Sequence, residues 1–355
     1  FLLTTVLSIA QTSSDFKDID ALIKTNSMID ALDASNLLKK NHQKDTVNAD
    51  YWLRFSQISY ILYKYEDAKF AINKAIHMEP KPNYYFEKGL LFNRVNMLDT
   101  ALKALEMAVK LKEEGEYYYW KGIVNQQLGN MPAAESDYRA ALRHHFETLE
   151  LHNNFAILLS ENKKNEEALA HINRAIALNK DYAQAYGARA RIHVFLLNVD
   201  SACIDNAMAY ALGFKKILPI HDSICNGSFI QKTQFAAVMC AANKCYEQAI
   251  VAYTQLINKN IMKADYFLNR GYCYYQLMDY PKAETDYLKA LTLPAVEFDM
   301  VYNNLSLLYY DQKNYTKSIE YATKQIELNP KNHVAYLDRG LAYRKMKEYK
   351  NAEST

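Results

Sequence analysis

The chain has 355 residues, half of them hydrophobic, with only nine glycines and seven prolines. So little turn-forming material excludes a β-rich fold and long flexible linkers, and leaves a helical class. A net charge of +2, with both signs interspersed and no long basic run, excludes the electrostatic footprint of a nucleic-acid binder; tyrosine, at 29 residues, is the compositional outlier.

A period runs through most of the sequence. Small residues recur at Ala34, Ala68, Ala101, Ala134, Ala168, Ala202, Ala249, Ala283, Ser318 and Ala352, at spacings of 34, 33, 33, 34, 34, 47, 34, 35 and 34 residues. Twelve positions before these stands a second small column: Ser56, Gly89, Gly122, Ala156, Ala190, Ala237, Gly271, Ser306 and Gly340, with Leu22 in the first copy. Two helices joined by a short turn approach to about 8–10 Å only where the residues at the crossing are small. Four residues before the second column lies a large residue (Trp52, Tyr85, Tyr118, His152, Tyr186, Phe267, Tyr302, Tyr336), and four after the first column another, such as Leu105, Tyr138 or Tyr287. Offsets of four mark one helical face. Each period therefore predicts a helix A, a turn, a helix B and a second turn, and the whole predicts an all-α solenoid whose core grows by stacking.

In chain order, residues 1–14 open on the uncharged FLLTTVLSIA, with Ser8 and Ala10 three and one residues before a cut at Gln11. That pattern is expected of the end of an export signal, and it is too short for a transmembrane span. Residues 15–48 are expected to form a degenerate helical pair that caps the array, without the aromatic and the small residue of its first helix. Residues 49–209 hold five repeats, with turn signals at Glu79-Pro80, Gly129-Asn130 and Asn162 to Asn165. The interval of 47 places an insertion at 210–229, expected as an elongated B helix or packed loop, or else as a protrusion that touches a partner. Residues 230–355 hold repeats six to nine, and the register places the terminal NAEST inside a B helix, a truncated last repeat.

The segments YFLNRGYCYYQLMDYPKAETDYLKALTLP, from Tyr266, and YLDRGLAYRKMKEYKNAEST, from Tyr336, resemble the tetratricopeptide-repeat family. The resemblance runs from about Asp15 to the last residue. It departs from the pattern at Asn206, where a large residue is usual, and at Leu256 and Gln325, where alanine is usual. It implies a right-handed superhelix that acts as a non-catalytic scaffold, with A helices lining a concave face that binds a protein or peptide. The Tyr-, Asn- and Lys-rich composition resembles exported proteins of Bacteroidetes. A periplasmic or cell-envelope location is therefore expected, with the cytoplasm otherwise. The competing expectation is the sensory half of a larger signalling protein, with an effector domain beyond residue 355.

No catalytic, phosphate-binding or metal-binding motif is present, so no enzyme activity, cofactor or metal is expected. His144, His145 and His152 are the one histidine cluster, expected at a solvated turn, and Glu113-Glu114 and Glu166-Glu167 fall at helix ends. The five cysteines, Cys203, Cys225, Cys240, Cys245 and Cys273, carry no metal spacing and read mostly as buried hydrophobes, with Cys240 and Cys245 the one pair considered for a disulfide. In the family, residues one and eight after the aromatic of helix A face the groove. Those rows nominate Phe86, Asn93, Tyr119, Gln126, Tyr275, Asn303, Tyr310 and Arg344 as partner contacts, because a ring offers area and a polar tip at small entropic cost. Asn154 and Asn304 lack the neighbouring cations of the family's clamp for acidic tails.

Overall fold

The computed structural model describes residues 16–45, 48–215, 222–259, 261–294, 296–347 and 352, and among these it is helical with no strand. The chain divides into two compact units, one ending at Asn162 and the other beginning at Lys163. The N-terminal unit holds α1 (16–24), α2 (Met28–Asp45), α3 (Ala49–Ile61), α4 (Tyr65–Met78), α5 (Pro82–Arg94), α6 (Leu98–Leu111), α7 (Gly115–Gln127), α8 (Met131–Arg143) and α9 (Leu149–Glu161). The C-terminal unit holds α10 (Asn165–Leu178), α11 (Ala183–Phe195), α12 (Val199–Ala211), α13 (Asp222–Cys225), α14 (Phe229–Ala242), α15 (Tyr246–Asn258), α16 (Ala264–Gln276), α17 (Tyr280–Leu291), α18 (Phe298–Asp311), α19 (Tyr315–Leu328) and α20 (His333–Lys345). Within each unit consecutive helices form hairpins, and each hairpin packs on the next.

The two small columns meet at the crossing inside each hairpin. The first column is fully buried from Ala34 to Ser318. In the second, a Cβ added to Gly271 would lie 2.8 Å from the Tyr287 ring, and one added to Gly89 would lie 2.5 Å from Leu105 Cγ. The glycine is therefore a space requirement set by the large residue opposite. Where serine takes the position, its hydroxyl is also used: Ser56 donates to the Ala68 carbonyl at 2.8 Å, and Ser306 to that of Ser318 at 3.0 Å.

The hairpin turn is the same each time. The residue seven after the second small column takes a positive φ of about 60°: Tyr63, Asn96, Leu197, Lys244, Met278 and Lys313, with Gly129 at 79°. The next amide then returns to a carbonyl five residues back, as in Lys64 to Ser59 (2.8 Å) and Asp279 to Tyr274 (2.9 Å). This closes the end of helix A in the manner of a Schellman motif.

A basic residue one before the second small column ties three helices together. Arg270 donates to both carboxylate oxygens of Asp286, at 2.7 and 2.8 Å, and to Thr254 Oγ1 at 3.0 Å. Arg189 repeats the arrangement with Asp205, at 2.8 and 2.7 Å, and Asn173. In the N-terminal unit Lys121 takes the role, 2.8 Å from Asp137, whose other oxygen accepts from Asn125 at 2.7 Å.

The 210–229 region corrects one expectation. Helix α12 ends at Ala211, so the B helix is not elongated, and Gly213 turns the chain at φ 87°. The short α13 is joined back to α12 by a disulfide between Cys203 and Cys225. The pair considered from the sequence does not form: Cys240, Cys245 and Cys273 are free and buried. Burial pushes the Cys240 and Cys273 thiols up to about 12, the values of inert core cysteines. Residues 1–14 and 353–355 lie outside the described residues, and so do residues 216–221 of the insertion.

Candidate interaction face

Of the residues nominated in the N-terminal unit, Phe86 and Tyr119 are buried. The Phe86 ring lies 4.6 Å from that of Tyr117, and Tyr119 packs on Tyr138 and Phe146 while its hydroxyl accepts from Asn154 at 3.1 Å. Both rings hold helices together and leave little surface. Gln126 is half-buried and accepts from the Tyr138 hydroxyl at 2.8 Å, so Tyr138 is what brings Tyr119 and Gln126 together. Asn93 is half-buried, with a buried Oδ1 that has no hydrogen-bond partner.

In the C-terminal unit Tyr275, Asn303 and Tyr310 are half-buried and Arg344 is exposed. Tyr275 donates to Asp311 at 2.5 Å, and burial together with that bond raises its phenol above the ordinary value. Tyr310 meets Tyr315 at a steep angle, with ring centroids 5.5 Å apart. The three histidines do not form a site: His144 stacks on Tyr118, and His152 is buried with Nε2 3.2 Å from Glu147. Among the described residues no group of three or more His, Cys, Asp or Glu side chains could hold a metal.

Cavities open along the A helices. In the N-terminal unit one of about 330 Å³ is lined from α1, α3 and α5, with Asn26 of the turn after α1. Inside it Gln57 donates to Glu87 at 2.9 Å, and the Arg94 guanidinium lies 4.9 Å from the Tyr60 ring centroid. Burial raises the Glu87 carboxyl, while Gln57 and Arg94 oppose that rise. In the C-terminal unit a cavity of about 190 Å³ is lined from α14, α16 and α18, with Tyr253 of α15 and Glu297 just before α18. A smaller one of about 60 Å³ lies among Ser306, Tyr310, Ser318 and Asp338. The repeat period does not by itself indicate these cavities. The signal for the basic clasps was present in the constant spacing of 16 between Arg189 and Asp205, Arg270 and Asp286, and Lys121 and Asp137.

Stacked helix hairpins with paired small columns define an α-helical repeat protein. Tetratricopeptide-repeat family models match residues 264–293 and 301–332, which are α16 with α17 and α18 with α19. The chain carries tetratricopeptide repeats in these two hairpins. A curated relative, the BBSome complex member BBS4 homolog of Drosophila melanogaster, is 26% identical over 118 residues. That match takes in 33% of this chain and 24% of the relative, so the chain spans about a quarter of that protein's length. Solved structures similar in fold include the C-terminal part of a TPR repeat-containing protein from Cytophaga hutchinsonii, at 16% identity, 91% and 98% coverage of the two chains and TM-score 0.42. They also include a tetratricopeptide repeat protein from Parabacteroides merdae, at 17% identity, 74% and 98% coverage and TM-score 0.36. A third is YrrB, a TPR protein with an unusual peptide-binding site, at 18% identity, 50% and 93% coverage and TM-score 0.44.

Proposed function

We propose that this chain is a scaffold that holds a segment of a partner protein against the A-helix side of its hairpins, and that it works outside the reducing cytoplasm. One observation carries the first part: a cavity of the N-terminal unit is lined by A helices and the turn residue Asn26, and one in the C-terminal unit almost only by A helices, although a larger one of about 570 Å³ there also takes in α12 and α15. The B helices instead carry the fully buried alanine column. Concave, partly apolar surface with a few polar groups is where a segment gains both area and orientation. The Cys203–Cys225 disulfide supports the second part, since such bonds persist in oxidising compartments. Among the described residues no helix is long and apolar enough to cross a membrane.

Site-directed photo-crosslinking in the native cell tests the face. A photoreactive phenylalanine replacing Leu337 on A-helix α20, 61% exposed, is expected to capture a protein partner. The same group replacing Ile204 on B-helix α12, 69% exposed, is expected to capture none. Adducts from position 204 alone would move the binding face. For the compartment, cells lysed directly into an alkylating agent are expected to yield Cys203 and Cys225 oxidised; recovery of both as alkylated thiols would place the protein in a reducing environment.

A further inference from the structure

We infer that the A-helix cavity of the C-terminal unit receives a lysine or arginine side chain from the bound partner segment. This rests on the scaffold proposal and adds the chemistry of the ligand. The cavity's two charged lining groups are Asp265 and Glu297, both exposed, and neither makes a hydrogen bond or ion pair among the described residues. Beside them lie Val238, Leu268 and Met300, and the first and last of these are 50% and 49% exposed. An aliphatic stem ending in a cation matches that combination, its methylenes on the apolar wall and its head between the carboxylates. Gln234 is less available to a ligand, because its Oε1 already accepts from the Tyr266 hydroxyl at 3.1 Å. Lys263, with Nζ 5.6 Å from the Tyr266 ring centroid, pairs with neither carboxylate.

Elsewhere in the unit the pairing of acids varies with position. Its interior acids are matched: Asp205 by Arg189 and Asp286 by Arg270. On the surface Asp200 is matched by Lys232 and Glu320 by Lys324, whereas Glu166, Asp181 and Glu327 have no side-chain partner among the described residues. Asp338, in a smaller cavity of this face, has a buried Oδ2 with no partner among the described residues, beside Ser306, Ser318 and Tyr310. An unpaired carboxylate out of water is costly, and a cation relieves it. The N-terminal cavity differs, because Glu87 there is bonded to Gln57 and the rim carries Lys24 and Arg94. A phosphorylated or acidic segment would be repelled from Asp265 and Glu297.

The probe is a positional-scanning set of hexapeptide pools, acetylated and amidated so that no terminal charge intrudes, each pool carrying Lys, Arg, Glu or Leu at one fixed position. Pools with fixed Lys or Arg are expected to bind the purified chain at least about tenfold tighter than those with fixed Glu. Asp265→Asn combined with Glu297→Gln is expected to erase that preference while leaving the Leu pools unchanged. Glu166→Gln combined with Asp181→Asn, the same charge change on and just beyond α10, is expected to leave it intact. Binding that favours Glu or ignores charge, or a basic preference that survives the Asp265/Glu297 changes, overturns the inference and leaves the scaffold proposal standing. Failure of every pool to bind removes both. Stoichiometric Ca²⁺ binding, lost in the same double variant, would overturn the inference by giving the carboxylates to a metal.

Discussion

The N-terminal and C-terminal units are built on the same hairpin yet treat their acidic groups differently. In the N-terminal unit the clasp between helices is Lys121 with Asp137, supplemented by Asn125, and the carboxylate in its A-helix cavity is answered internally by Gln57. In the C-terminal unit the clasps are bidentate arginine forks, while three carboxylates that line its cavities have no side-chain partner among the described residues. A lysine is a point charge that needs help to satisfy a carboxylate, whereas an arginine fork satisfies both oxygens alone. The lesson is that pairing inside the repeat stack and pairing on its A-helix face are separate variables: the first holds the array, and the second sets what it can hold.

The largest expected effect comes from breaking a fork. Asp286→Ala strands Arg270, whose side chain is 16% exposed, and is expected to destabilise the C-terminal unit by about 3–4 kcal/mol. The matching Asp137→Ala is expected to cost about 2 kcal/mol, because Lys121 can turn toward solvent. Hydrogen exchange resolved by unit separates the two losses, and equal losses would remove the distinction between fork and point charge. Next comes the disulfide, confined to the C-terminal unit because every cysteine lies at or beyond position 203. Cys203→Ser opens a 22-residue separation and is expected to lower that unit's stability by about 3 kcal/mol on a loop-entropy basis. Dithiothreitol should lower one thermal transition and leave the N-terminal unit's amides unchanged.

Smaller effects follow from the hairpin itself. Gly271→Ala gains about 1 kcal/mol of helix propensity but drives a methyl into the Tyr287 ring, for a net loss of about 1–2 kcal/mol by chemical denaturation. Met278→Gly runs the other way: the side chain is 75% exposed and φ is 60°, so relief of left-handed strain should add up to about 1 kcal/mol. For Asp338, burial raises the folded carboxyl above its unfolded value. A raised acid favours the native state below the unfolded value, and that advantage is lost as pH rises through the folded one. Asp338→Asn is therefore expected to raise the melting temperature at neutral pH and to leave it unchanged near pH 3. An equal shift at both values would show that the carboxyl's charge is not the cause.

The fold was legible because its constraint is steric and periodic: only small residues tolerate the crossings at Gly89, Gly122 or Gly271, so the period is written into the sequence. The turn conformation was not legible, since Tyr63, Leu197 and Met278 occupy a position for which glycine is the usual sign. The Cys203–Cys225 bond bridges an insertion that has no periodic register from which to infer proximity. Departures from the repeat pattern proved to be packing residues: Leu256 and Gln325 are both buried. The face was only partly legible because tyrosine serves packing and contact alike. Tyr119 and Tyr275 both fall in groove rows, one and eight after the aromatic, yet the first is buried among rings and the second is tied to Asp311 with part of its ring open.

A partner segment is expected to lie on the A helices. Hydrogen–deuterium exchange of the purified chain, with and without the tightest-binding capped peptide at saturation, tests it most directly. New protection is predicted in α14, α16 and α18, with α15, α17 and α19 unchanged. Protection concentrated in α15, α17 and α19 would contradict the account and assign binding to the opposite face.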